Sequence, residues 1–171
     1  MFRLHNESTV ALNAPVDVAF SYLDDFKKLS AHMEQSSGMM MGSKMTIDMD
    51  AAGGRSVGSK VRLHGKMMGL TLSLEEVVTE RQPPVRKSWN TTSTDLLVIG
   101  DYRLGFELTP NGNASTLHVY IDYDYPPKPP ARWLGYLFGK MYARWCTERM
   151  AKDAAAHFNS SSAASHVVGS R

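Results

Sequence analysis

Cysteine is almost missing from this chain. Cys146 is the only one, so no internal disulfide can form and no cysteine-rich zinc site exists. HExxH and a glycine-rich phosphate loop are also missing, which removes the usual sequence signatures of zinc hydrolases and nucleotide hydrolases. An excess of one charge is lacking too. Nineteen Lys and Arg stand against seventeen Asp and Glu, a net charge of +2, and the basic residues are scattered rather than set in a phosphate-tracking stripe. Nucleic acid is therefore not an expected partner. No apolar run approaches the roughly 20 residues that span a bilayer, so no integral membrane association is expected. The opening stretch MFRLHNESTV lacks the apolar core of a secretory leader, and cytoplasm is the expected compartment.

What the chain does have is alternation. Its 171 residues suit one domain, large enough to bury a core without disulfides or metal. Residues 2–12 place Phe2, Leu4, Val10 and Leu12 in one phase, which reads as a strand. Pro15 fits a first helical turn, Asp17 favours its positive end, and Val16, Phe20 and Leu23 follow at helical spacing. After Asp24-Asp25, Phe26 and Leu29 begin a second short helix. SSGMMMGSK reads as a loop into a strand at 43–50, with Met45, Ile47 and Met49 on one face. A strand over 57–66 sets Val57, Val61 and Leu63 against Lys60, Arg62 and His64. The next carries Leu70, Leu72 and Leu74 through EEVVTE and must break at RQPPV, because proline cannot donate to a ladder. A shorter strand at 85–93 surrounds Trp89.

The strongest hairpin follows. VIGDYRLGFELT and TLHVYIDYDY, joined through Asn-Gly, place Tyr102, Leu104, Phe106 and Leu108, then Leu117, Val119, Ile121 and Tyr123, on an inward face. After PPKPP, residues 131–158 read as a long amphipathic helix. Leu134, Phe138, Met141 and Trp145 form its inward stripe, with Tyr142 beside them. No repeat and no linker divides the chain. Residues 1–158 are expected to form one domain, and 159–171, small and polar, a flexible tail.

Four features together resemble the START-like superfamily, also called SRPBCC: LNAPVDVAFSYLDDFKKL, VGSKVRL, LEEVVTERQPPVRKSW, and the last hairpin with its following helix. That group includes polyketide cyclases, lipid-transfer domains and plant-pollen-allergen-like proteins. Relatives often carry tryptophan after the second short helix, where this chain has His32 and Met33. The resemblance implies an α+β helix-grip fold. A curved seven-stranded antiparallel sheet would wrap the long C-terminal helix, with the two short helices between strands 1 and 2 and an internal cavity left over.

On that fold, the expected occupant is a hydrophobic small molecule, such as a lipid, an isoprenoid or an aromatic polyketide, bound and then carried without a cofactor or a metal. The expected lining is Met45, Ile47, Leu63, Leu72, Trp89, Tyr102, Leu104, Phe106, Val119, Ile121, Tyr123, Leu134, Phe138, Met141, Tyr142 and Trp145. Tyr142 and Trp145 add polar tips that can orient a ligand, as can the hydroxyls of Tyr102 and Tyr123. The eleven methionines suit an adaptable apolar surface. Two other readings stay open. One is a polyketide cyclase or dehydratase-type enzyme in the same cavity, with His32 as its proton-transfer candidate, although the alternation leaves few inward ionisable groups. The other is a module that assists chaperones. Trp133, Tyr136 and Leu137 beside Arg132 and Lys140 read either as helix-start packing against the sheet edge or as a surface that touches a membrane transiently. Oligomeric state is not legible.

Overall fold

A computed structural model describes residues 2–29, 44–67 and 70–165. Strand β1 (Leu4–Leu12) is followed by helices α1 (Val16–Leu23) and α2 (Phe26–Leu29). Strands β2 (Lys44–Met49), β3 (Lys60–Met67), β4 (Leu70–Gln82), β5 (Arg86–Thr94), β6 (Tyr102–Asn111) and β7 (Ala114–Tyr123) come next. Helix α3 (Pro129–Leu134), a π-helical turn (Gly135–Gly139) and helix α4 (Lys140–Ser165) close the chain. The strands form one antiparallel sheet in the order β1-β7-β6-β5-β4-β3-β2. The sheet is curved, as expected for a helix-grip fold. The short helices therefore bridge the two outermost strands, β1 and β2, which are neighbours in sequence and far apart in the sheet.

Local chemistry explains the joints. Gly112 sits at φ +61° in the tight β6–β7 turn, where a left-handed residue matches the strand twist. Proline at 83 and 84 ends β4 and lets β5 start afresh at Arg86. The expected strand from residue 57 is corrected: Val57 is exposed, in a turn. Gly58 takes φ +86° there, and the Ser59 hydroxyl donates to Asp50 at 2.6 Å, so pairing begins only at Lys60. The residues GRSVG at 54–58 spell Gly-x-Ser-x-Gly, but they join two antiparallel strands. Ser56 thus lacks the strand-to-helix turn that a nucleophile elbow requires.

Helix α4 makes its closest approach at one side of the sheet. It packs on β1 and β7 through a stripe of small residues, Ala143, Thr147, Ala151 and Ala154, joined by Cys146, Met150 and Phe158. Asn6 on β1 donates to the Thr147 hydroxyl at 2.7 Å, which fixes the close approach. The expected inward stripe needs correcting. Leu134, Phe138 and Met141 are exposed, while Trp145 and Tyr142 are half-buried. The buried face runs through Gly135, Gly139, Ala143 and Thr147, so Leu134, Phe138 and Met141 lie off it. The helix also continues past residue 158 to Ser165, and Asn159 bonds the Asn13 amide at 3.0 Å.

Beneath α1 lies a buried ion cluster. Lys87 on β5 is 1% exposed and donates to the Asp24 carboxylate at 2.9 Å and the Asp24 carbonyl at 3.0 Å. Arg81 on β4 adds a two-pronged contact to the same carboxylate at 3.1 and 2.8 Å. Burial pushes the Asp24 carboxyl up, but the bonds from Arg81 and Lys87 outweigh it and hold it below its ordinary value. Removing the carboxylate would strand the lysine. Asp24→Asn is expected to cost about 3–5 kcal/mol in chemical denaturation, the range for leaving a buried charge without its partner. Lys87→Met with Asp24→Asn should recover much of that loss.

Candidate functional site

Antiparallel register lines up one row of side chains across the concave face. Val61 on β3 opposes Glu76 on β4, and Glu76 opposes Thr91 on β5. The Thr91 hydroxyl bridges to the backbone of Tyr102 on β6, whose partner on β7 is Tyr123. The row below runs Val78, Trp89, Leu104, Ile121. These rows are apolar except at Glu76, which is 3% exposed.

The Glu76 carboxyl accepts a hydrogen bond from the Tyr102 hydroxyl. Burial pushes its pKa up to about 7, against smaller opposing effects of Tyr102 and Trp89. The Trp89 indole N–H is buried with no partner in bonding geometry, yet lies near enough to favour the charged carboxylate. From α4, Tyr142 and Cys146 face the same region. Their hydroxyl and thiol lie close enough to influence each other, and both feel the Glu76 charge. Burial raises both tyrosine hydroxyls well above their ordinary value and pushes the Cys146 thiol up to about 12. Cys146 is therefore a neutral thiol at physiological pH, not a nucleophile. Glu76 is the group that changes charge near neutrality, which is what proton transfer requires.

Most of the expected lining sits on this face. Leu63, Leu72, Trp89, Tyr102, Phe106, Val119, Ile121 and Tyr123 are buried, and Ile47 and Leu104 are half-buried. Leu134, Phe138 and Met141 stand outside it, on the exposed strip after α3. His32, expected as a proton-transfer candidate, and the side chain of Met45 lie outside the described residues. His64 is exposed beside Asp48, and His118 bonds Glu7 on the convex side, so neither faces the interior. The expectation of few inward ionisable groups missed both Glu76 and Lys87. A signal was present for each: Glu76 keeps the phase of Leu72, Leu74 and Val78, and Lys87 the phase of Trp89.

Tyr142 and Leu104 are among the half-buried side chains packed against the core. Tyr142 is deep enough for burial to raise its hydroxyl strongly, yet part of its surface stays accessible. Leu104 projects from a central strand on the concave face and is also only half-buried. Two open clefts lie elsewhere. One of about 290 Å³ is bounded by Arg3, Asp101, Asp124, Tyr125, Pro126, Pro127 and Arg132. The other, of about 230 Å³, lies beside Asp48, Met49, Asp50, Lys60 and Arg62. Their charged rims do not suit an oily ligand.

Residues 3–158 match the family model described as polyketide cyclase / dehydrase and lipid transport. No curated protein matches the chain. Solved structures with a similar fold include the Zhui aromatase/cyclase from a Streptomyces species, at 15% identity and TM-score 0.60, covering 90% of this chain and 94% of that one. A START superfamily protein from Mycobacterium smegmatis is similar at 17% identity and TM-score 0.59, covering 91% and 97%. Ginseng major latex-like protein 151 from Panax ginseng is similar at 14% and 0.55, covering 91% and 97%.

The buried carboxyl makes a testable pH signature. Its folded pKa, about 7, lies above its ordinary 4.5, so between these values the folded state binds more protons than the unfolded one. Its contribution to stability is thus greatest at low pH and declines as pH rises through that window. Relative to Glu76→Gln, the wild-type protein is expected to lose on the order of 3 kcal/mol between about pH 4.5 and 7. Denaturation curves of both proteins across that range measure the difference.

Proposed function

The chain belongs to the polyketide cyclase/dehydrase and lipid transport family, and on that footing we propose that it binds a hydrophobic small molecule between the concave sheet face and α4. A lipid, an isoprenoid or an aromatic polyketide has the required shape and polarity. The carrying observation is the setting of Tyr142 and Leu104, deep in the fold and still partly accessible, because side chains of that kind border open space. Desolvation supplies the affinity, at about 25 cal/mol per Å² of apolar surface removed from water. Glu76, Tyr102 and Trp89 then fix orientation. The unpartnered indole N–H fits a ligand oxygen, and the neutral carboxyl can donate to another. No cofactor is part of this reading.

One observation favours a second reading, a cyclase or dehydratase-type enzyme in the same place. Glu76 titrates near neutrality with Tyr102 bonded to it, so it can both take and return a proton. Binding and turnover separate at this residue. Glu76→Gln keeps the shape and loses the proton, so a carrier would retain its ligand within roughly tenfold, while an enzyme would lose at least about a hundredfold in rate.

Native mass spectrometry of the purified protein, followed by denaturation and solvent extraction, tests the binding itself. The expected result is a co-purifying organic molecule, or a thermal shift with members of a lipid and polyketide panel. Leu104→Trp, which fills the accessible space, should abolish either signal while the melting temperature holds. An empty protein with no shift from any panel member would overturn the reading and favour a protein-binding module.

A further inference from the structure

Between Trp133 and Met141 six large apolar side chains face solvent. Trp133 is 71% and Leu137 65% exposed, with Leu134, Tyr136, Phe138 and Met141 between 38% and 54%. Loose packing is not the cause. Gly135 and Gly139 press the π turn flush against the rest of the fold. A Cβ on Gly135 would stand 2.7 Å from Pro126 Cδ, and one on Gly139 2.7 Å from the Val98 carbonyl oxygen. The contact is made by the two residues without side chains, so the bulky ones between them turn outward. Exposed apolar groups this concentrated mark a surface that meets another apolar phase.

Charge narrows the choice of phase. From Pro126 to Thr147 the chain has no Asp or Glu, but it has Lys128, Arg132, Lys140 and Arg144. Arg132 lies over the Tyr136 ring at 5.9 Å, holding a cation at the edge of the apolar strip. The neighbouring carboxylates sit to the side: Asp95 is 4.0 Å from Lys128, Glu148 pairs with Arg144, and Asp101 and Asp124 line the cleft behind Arg132. Tryptophan and tyrosine prefer the boundary between headgroups and acyl chains, and lysine and arginine are drawn to anionic lipid. We propose that this strip docks the protein on an anionic bilayer surface. Trp133, Leu137 and Phe138 enter the boundary layer, and Arg132 and Lys140 lie against lipid phosphates. The docking does not depend on which ligand the interior holds.

The test uses the full chain with vesicles of phosphatidylcholine alone, and of phosphatidylcholine mixed with phosphatidylserine, separated by sedimentation. Binding is expected on the mixed vesicles and should weaken with added salt. Trp133→Ser combined with Leu137→Ser should lower affinity at least tenfold, a loss of roughly 1.4 kcal/mol or more. Arg132→Gln and Lys140→Gln should each lower it about fivefold. These side chains are exposed, so all variants should melt with the wild-type protein. Equal binding to both vesicle types, no binding at all, or unchanged binding by the variants would overturn the proposal. So would self-association that the serine variants abolish, because the strip would then belong to a second copy of the chain.

Discussion

Helix α4 offers alanine and threonine to β1 and β7, and that close seat governs the rest of the molecule. Small side chains let the helix axis come near one edge of the sheet. The Asn6–Thr147 bond holds it there. Further along the inner face, α1 packs on β6 and β7, and Tyr142 and Cys146 of α4 reach toward Glu76 on β4 and Tyr102 on β6. Strands β3 to β6 bury their inward rows almost completely, with Leu63, Leu74, Glu76, Val78, Trp89 and Phe106 all out of solvent.

The two buried polar systems answer opposite needs. Around Asp24 every formal charge has a partner: one carboxylate meets a lysine and an arginine, and the lysine also reaches a carbonyl. That cluster ties the short helices to β4 and β5, and nothing in it is left over for a guest. Around Glu76 the pairing stops short. One hydroxyl reaches the carboxyl, an indole N–H has no acceptor, and the thiol opposite is inert. A polar group buried without its full set of bonds is costly.

Much of this architecture was legible because strands announce themselves by a period of two. The order of elements, the inward rows of β6 and β7, and the break at Pro83-Pro84 all follow from alternation and proline chemistry. Glu76 and Lys87 were also written in that alternation, but a charge in an apolar phase invites the assumption of a solvent face. Only three-dimensional pairing shows Tyr102 and Asp24 waiting for them. The π turn was not legible in the same way. Apolar spacing makes Leu134, Phe138 and Met141 read as core, while it is Gly135 and Gly139 that make the inner contact. Val57 was misread because a left-handed glycine, not hydrophobicity, decides where β3 starts.

Gly135 and Gly139 also bear on how this chain can drift over generations. At either codon the smallest possible change, a single added methyl, would wedge the turn away from Val98 and Tyr125. The same wedge would tilt every aromatic residue between them. Two positions therefore hold the outer and inner faces of one segment in common inheritance, and selection acting on either face restrains the other.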